Sequence, residues 1–383
     1  MNDPHTDEEL QNDVLLYDPL FETPPDTVIR DTPGRGFFGK AAVKKAVFII
    51  VLLIFVGGAI VLSFSSLSQD RLEYVTTDAG LMLSAFRADK TDYVFCIDTA
   101  GEEAGEAAGQ PVTAVRQFAV CGNEVTAFIL IGKDTVSISN TAFYDCSALA
   151  AVLVDENNPA YCSVDGVLYR TENGAPTEVM LYPRKNALYK ARLGLGDEAP
   201  ADAESAAAFA ARMAQWEQDT GVWDTVRDGA DPADNQKLPK AQCAAVTRAL
   251  TCEIPAGVTR IGEMAFAECS GLNGVVIPDT VTEVAQMAFF KCGNLRSLSL
   301  PDGVETLGPD AFSYCKKLTE IFVPASVREI GHHAFYGCSG VHEVRLAASE
   351  SDAPKTGQDW LPKQRRLFEH NVPVVYNAVR GDG

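Results

Sequence analysis

The strongest hydrophobic pattern in the chain is an unbroken apolar run. Residues 46–62 read AVFIIVLLIFVGGAIVL without a polar side chain, and Ser63 and Phe64 extend the run. At about 1.5 Å per residue a helix of this length spans roughly 28 Å, close to the hydrocarbon thickness of a bilayer. The pattern therefore predicts a transmembrane helix within 45–66. Arg35, Lys40, Lys44 and Lys45 precede it, whereas Gln69, Asp70 and Arg71 follow. The excess of bases before the run places the N-terminus in the cytoplasm and the rest of the chain outside the cell. The long segment ahead of the run and the poor small-x-small site behind it argue against a cleaved signal peptide. No cysteine directly follows the run and the C-terminus carries no hydrophobic tail, which argues against lipid anchors.

Residues 1–34 carry nine acids, one base and five prolines with no helical or strand periodicity. Such a segment cannot bury enough apolar surface to order itself, so residues 1–40 are expected to form a disordered acidic cytoplasmic tail.

A second pattern governs the C-terminal half. Four blocks of 23 residues follow one another from 249: ALTCEIPAGVTRIGEMAFAECSG, LNGVVIPDTVTEVAQMAFFKCGN, LRSLSLPDGVETLGPDAFSYCKK and LTEIFVPASVREIGHHAFYGCSG. Pro255, Pro278, Pro301 and Pro324 share one phase, as do Phe266, Phe289, Phe312 and Phe335, and Cys269, Cys292, Cys315 and Cys338. A period of this length marks a solenoid. Leu272, Val275 and Ile277 predict a short strand with one buried face, which proline ends because it lacks the N–H that a further ladder bond needs. Val281 and Val284 turn inward, and Gly262, Gly308 and Gly331 permit a tight bend, with Ala285 in the second block. The Ala-Phe-x-x-Cys return then packs Phe and Cys beneath the strand. Stacked blocks predict a parallel sheet over interior ladders of Phe and Cys. VHEVRL at 341–346 supplies a further strand.

The unit Val-x-x-Ile-Gly-x-x-Ala-Phe-x-x-Cys resembles the BspA-type leucine-rich repeat, a family of cell-surface proteins. The resemblance reaches back to Thr141-Ala142-Phe143-Tyr144-Asp145-Cys146 and, more weakly, to Gln117–Cys121. Asn158–Tyr161, Asp165–Tyr169 and Leu181-Tyr182-Pro183 resemble the hairpin-bearing long repeat of that family. It implies a β-rich leucine-rich-repeat solenoid with short parallel strands and return turns. The chain departs from that pattern at about 186–248, where a helical insertion is expected, and the transmembrane helix read from the apolar run precedes the solenoid. The expected organisation is an N-terminal cap and first repeats over 71–190, an insertion over 191–248, repeats over 249–346 and a C-terminal cap over 347–383. Residues 199–214 contain nine alanines, with Phe209, Met213, Trp216 and Trp223 near helical spacing. They predict a helix over about 201–220, extending toward 227, either folded on the convex side of the solenoid or serving as a partner-binding arm. Trp360–Glu369 is expected to be a short helix and Val374–Tyr376 a last strand.

Composition narrows the function. Asp plus Glu number 52 against 32 Lys plus Arg, a formal net charge of −20. A nucleic-acid partner needs a basic face, so none is expected. Ten cysteines without a CxxC pair fit neither a disulfide scaffold nor the common zinc patterns. The ladder cysteines are expected to be buried free thiols, and only Cys243–Cys252 is a pair to test for a bridge. Adjacent His332 and His333 should point apart in a turn, so with His342 they are not expected to hold a metal. Asp155–Asn158 reads as a polar turn. No nucleophile–base arrangement or phosphate loop is visible, so neither catalysis nor a cofactor is expected.

What remains is the solvent-facing surface of the strands. One row is Glu253, Val276, Ser299, Phe322 and Arg345. A second is Gly274, Ser297, Glu320 and Glu343, and a third Asn273, Arg296, Thr319 and His342. Aromatic and Arg side chains are enriched where binding energy concentrates. Arg296, Glu320, Phe322, Glu343 and Arg345 are therefore the candidate binding residues for a protein or glycan partner. The expected function is adhesion-like binding at the cell surface. The alternative is an envelope assembly or signalling component working through its cytoplasmic tail.

Overall fold

The computed structural model describes residues 71–191, 202–238, 240–361 and 372–379. The expected tail and membrane span, the start of the insertion and most of the segment expected to form the helix over Trp360–Glu369 lie outside them. Among the described residues no helix is long and apolar enough to cross a membrane.

The first part of the chain runs through β1 (Leu72–Thr77), β2 (Gly80–Phe86), β3 (Val94–Ile97), β4 (Val112–Val115), β5 (Phe128–Ile131), β6 (Ser137–Ile138) and β7 (Ala151–Val154). Alternate strands join two sheets. β1-β2-β4-β6 form one and the parallel β3-β5-β7 the other. A hairpin unit follows, built from β8 (Tyr161–Val164), β9 (Val167–Glu172) and β10 (Ala175–Leu181).

Four helices then interrupt the strands: α1 (Asn186–Ala191), α2 (Ala203–Thr220), α3 (Val222–Arg227) and α4 (Lys240–Ala249). Asp202 caps α2, accepting the Ser205 backbone N–H at 2.7 Å, while Gly221 at φ 62° ends it and turns the chain into α3.

The repeats follow as β11 (Thr251–Glu253), β12 (Arg260–Ile261), β13 (Gly274–Val276), β14 (Glu283–Val284), β15 (Ser297–Leu298), β16 (Thr306–Leu307), β17 (Ile321–Val323), β18 (Glu329–Ile330), β19 (Val344–Leu346), β20 (Lys355–Thr356) and β21 (Val374–Val375). Odd-numbered strands pair in parallel as β11-β13-β15 and β17-β19-β21. Even-numbered ones continue β10 as β12-β14-β16-β18-β20. Each repeat thus contributes one strand to each of two sheet walls. The walls run almost without slippage, with Ile261 opposite Val284, Val284 opposite Leu307 and Leu307 opposite Ile330.

The return turns close the interior. Tyr182, Phe266, Phe289, Phe312 and Phe335 stack face to face, with successive ring centroids 5.1, 4.7, 5.1 and 5.4 Å apart. The four phenylalanines are fully buried. The stack ends on Trp360, 6.5 Å from Phe335 and tilted by 62°. Cysteine suits the neighbouring column because its thiol is small and still donates weakly. Cys292, Cys315 and Cys338 donate to the carbonyls of Phe266, Phe289 and Phe312 at 3.0, 3.2 and 3.1 Å. All ten cysteines are free thiols, Cys243 and Cys252 among them. The glycine of the bend is required by close approach. A Cβ at Gly308 would lie 2.6 Å from the Ala285 carbonyl carbon and the Gln286 nitrogen.

Each turn also places two residues in the left-handed region. One column is Met264, Met287, Asp310 and His333, with φ between 53° and 57°. The other is Glu268, Lys291, Tyr314 and Gly337.

The insertion lies on the outer face of β3-β5-β7. Phe209 of α2 meets Phe128 of β5 at 5.7 Å and Tyr189 of α1 at 5.8 Å. Ala127, Phe128, Ala150 and Ala151 share one core with Phe209, Met213, Val222 and Val246. The reason is compositional. Phe128, Leu130, Ala151 and Leu153 make the outer face of these strands apolar, so it requires a cover.

Candidate functional site

Repeats 249–346 leave the same strand face open. Glu253, at the end of β11, is exposed, and Val276, at the end of β13, is 54% exposed despite being apolar. Phe322 of β17 stands directly opposite Arg345 of β19, and Arg345 stands opposite Val375 of β21. The first row therefore continues one strand further than the sequence indicated. Arg345 is oriented by its own surroundings. Its Nη2 donates to the Val379 carbonyl at 2.8 Å, and its Nε lies 3.9 Å from a Glu343 carboxylate oxygen. Glu320 and Glu343 are exposed beside this pair, as are Thr319 and His342. Phe322 is half-buried, not fully exposed. The combination is an aromatic edge next to a guanidinium, flanked by two carboxylates and an exposed valine.

Two further positions of the predicted rows have their own surroundings. Gly274 is buried in β13 and offers no side chain. Arg296 is exposed, but its Nη2 donates to the Gly229 carbonyl at 2.9 Å. That carbonyl belongs to the loop after α3, which docks along the strand-entry edge. Asn294 donates to the carbonyls of Val226 and Arg227 at 3.1 and 2.8 Å, and Lys317 Nζ lies 3.2 Å from the Asp228 carbonyl. Trp223 covers Gly271 on the same edge, with Lys185 Nζ 5.4 Å above its ring. The insertion thus anchors Arg296 through Gly229, as Val379 anchors Arg345. No sequence signal marked this, because the partner of Arg296 is a backbone carbonyl 67 residues away.

The other candidate chemistries resolve as follows. In the Asp155–Asn158 turn, Asp155 accepts the Asn157 backbone N–H at 2.8 Å. The Asn158 amide spans the carbonyls of Gly132 and Thr135 at 2.7 and 2.9 Å. These groups stabilise a turn. Burial pushes the thiols of Cys146 and Cys252 up to about 12, so neither supplies a thiolate near neutrality. Burial also raises the Cys96 and Cys121 thiols, although both residues are exposed.

Residues 241–354 match the model of the BspA type leucine rich repeat region in six copies. That match begins within α4, ahead of the first complete block. A search of curated proteins finds no match. Among solved structures, a leucine rich cell surface protein from Faecalibacterium prausnitzii A2-165 is similar over 70% of this chain and 52% of its own, with 20% identity and a TM-score of 0.43. This chain spans about half the length of that protein. The pneumococcal vaccine antigen PcpA is similar over 79% of this chain and 89% of its own, at 12% identity and a TM-score of 0.38. A leucine-rich repeat protein from Eubacterium ventriosum ATCC 27560 is similar over 76% of this chain and 83% of its own, at 14% identity and a TM-score of 0.39.

Proposed function

We propose that this chain, whose residues 241–354 are a BspA type leucine rich repeat region, is a single-pass surface protein that binds a protein or glycan partner. The partner would dock on the open end of its strand face. One observation carries this reading. Among the described residues the helices share a core with the apolar strand face of the early repeats and not with β17-β19-β21, which carries Phe322 and Arg345. An aromatic edge beside a guanidinium held by Val379 is a preorganised contact, since little side-chain entropy remains to be lost on binding. Glu320 and Glu343 would select against strongly acidic partners and favour polar or basic ones. The span at 45–66 would hold the repeats outside the cell.

Binding of a 71–383 fragment to matrix proteins, glycan arrays and the cell's own envelope fraction tests the surface. Saturable binding should weaken at least about tenfold in Phe322→Ala/Arg345→Glu, as expected for a hot-spot pair. Equal binding by the double variant would remove this face from the mechanism. Protease treatment of intact cells tests the topology, which requires loss of the repeats and survival of the tail.

A further inference from the structure

The left-handed column of the return turns changes chemistry partway along. Its first two positions, Met264 and Met287, are buried apolar side chains. Its next two, Asp310 and His333, are metal-ligating types at the same backbone conformation. His332, next to His333, joins them, and one ligand atom from each of Asp310, His332 and His333 lies within 4.8 Å of the other two. His342, the third histidine of this repeat, is not part of the cluster.

From this juxtaposition we infer that Asp310, His332 and His333 form a zinc-binding site that staples the third repeat to the fourth. The two Nδ1 atoms stand 3.9 and 4.0 Å from the Asp310 carboxylate oxygens, too far for hydrogen bonds. Zinc bonds of about 2.0–2.1 Å place tetrahedral ligands roughly 3.4 Å apart, so side-chain rotations of about 1 Å complete the set. Two imidazoles and one carboxylate suit Zn²⁺, with water as the fourth ligand.

The supporting shell is in place. The Ser313 hydroxyl is 2.8 Å from Asp310 Oδ1 and 2.7 Å from the His333 carbonyl. The hydroxyl has one proton for these two acceptors; given to Oδ1, it orients the carboxylate as a metal ligand. The Asp310 backbone N–H donates to the His332 carbonyl at 3.0 Å, and that of His333 to the Gln358 carbonyl at 3.0 Å. The backbone that carries the ligands is therefore fixed by the repeat ladder itself. This site is separate from the strand face and does not depend on the partner proposed for it.

The test uses the untagged full chain in detergent, dialysed against ZnCl₂, with metal counted by atomic absorption. One zinc per chain is expected. His332→Ala and His333→Ala should each weaken binding at least tenfold, with unchanged far-ultraviolet dichroism and unchanged metal-free melting. Ser313→Ala should weaken it by about 10–100-fold, the usual effect of a supporting hydrogen bond. His342→Ala should bind as the parent does. Cobalt substitution should give d–d bands without thiolate charge transfer. No stoichiometric zinc, equal uptake by the His332 and His333 variants, or a thiolate band would each overturn the assignment.

Discussion

Truncating Phe289 to alanine examines the interior ladder most directly. Phe289 is fully buried and stacks on both faces, against Phe266 at 4.7 Å and 13° and Phe312 at 5.1 Å and 6°. Phe→Ala in a core costs about 3–5 kcal/mol from lost transfer energy and the cavity left behind. Aromatic pairs add about 0.5–1.5 kcal/mol each, partly contained in that range, so two stacked faces put Phe289 at its upper end, about 4–5 kcal/mol. Phe335 supplies the comparison. It stacks on Phe312, but its other neighbour is Trp360 at 6.5 Å and 62°. That contact is an edge-to-face pair near the far end of the roughly 4.5–7 Å range over which such pairs attract, so Phe335→Ala is expected to cost no more than Phe289→Ala. Urea titration of residues 69–383, the compact unit that holds the repeats, measures both. Tryptophan emission and far-ultraviolet dichroism should give coincident transitions. A loss under about 1 kcal/mol for Phe289→Ala, or a larger loss for Phe335→Ala, would refute the stacking argument.

The remaining expectations concern thiols and the insertion. In the native protein a thiol reagent should label Cys96 and Cys121 first, with the buried ladder thiols reacting only after unfolding. Labelling of Cys292 or Cys315 at the rate of Cys96 would contradict their burial. Cys146 and Cys252 keep their protons up to about pH 12 when folded but ionise near 9 when unfolded. Between those values the folded state binds more protons than the unfolded one. Stability is therefore intact below about pH 9 and falls as pH rises toward 12, which alkaline melting curves will show. Asn294→Ala leaves the Val226 and Arg227 carbonyls without their shared donor. That should cost about 1–3 kcal/mol and speed amide exchange across 222–234. Exchange unchanged there would mean that the loop is held by other contacts.

The repeat was readable because one physical solution recurs. Leu272, Val275 and Ile277 bury one strand face, Pro278 ends the strand, and Phe289 and Cys292 fill the return. Each choice reinforces the same 23-residue register. The position of the insertion was not readable in this way. Its alanines and aromatics predict a helix but do not say which surface receives it. The apolar outer faces of β5 and β7 decide that, and they look like any buried strand in sequence. The anchoring of Arg296 was illegible for the same reason, since Gly229 meets it only after the helices dock. The Asp310–His333 juxtaposition was not legible in sequence because the two residues approach only through repeat stacking. Adjacent His332 and His333 converge because His333 adopts a left-handed turn.

The helices have a further effect on how the molecule comes apart. In a solenoid each repeat ordinarily touches only its neighbours, so the array can fray from either end like a zipper. Here Phe209 is fixed to Phe128, while the following loop is fixed to Asn294 and Lys317. One segment therefore splints strands that are far apart along the axis. Melting inward from the C-terminus should stall at the third repeat, because passing it also strips the cover from β3-β5-β7. The same connection makes assembly depend on contacts distant in sequence. The helices can dock only after both sheets exist, a late step that adds cooperativity at the expense of folding speed.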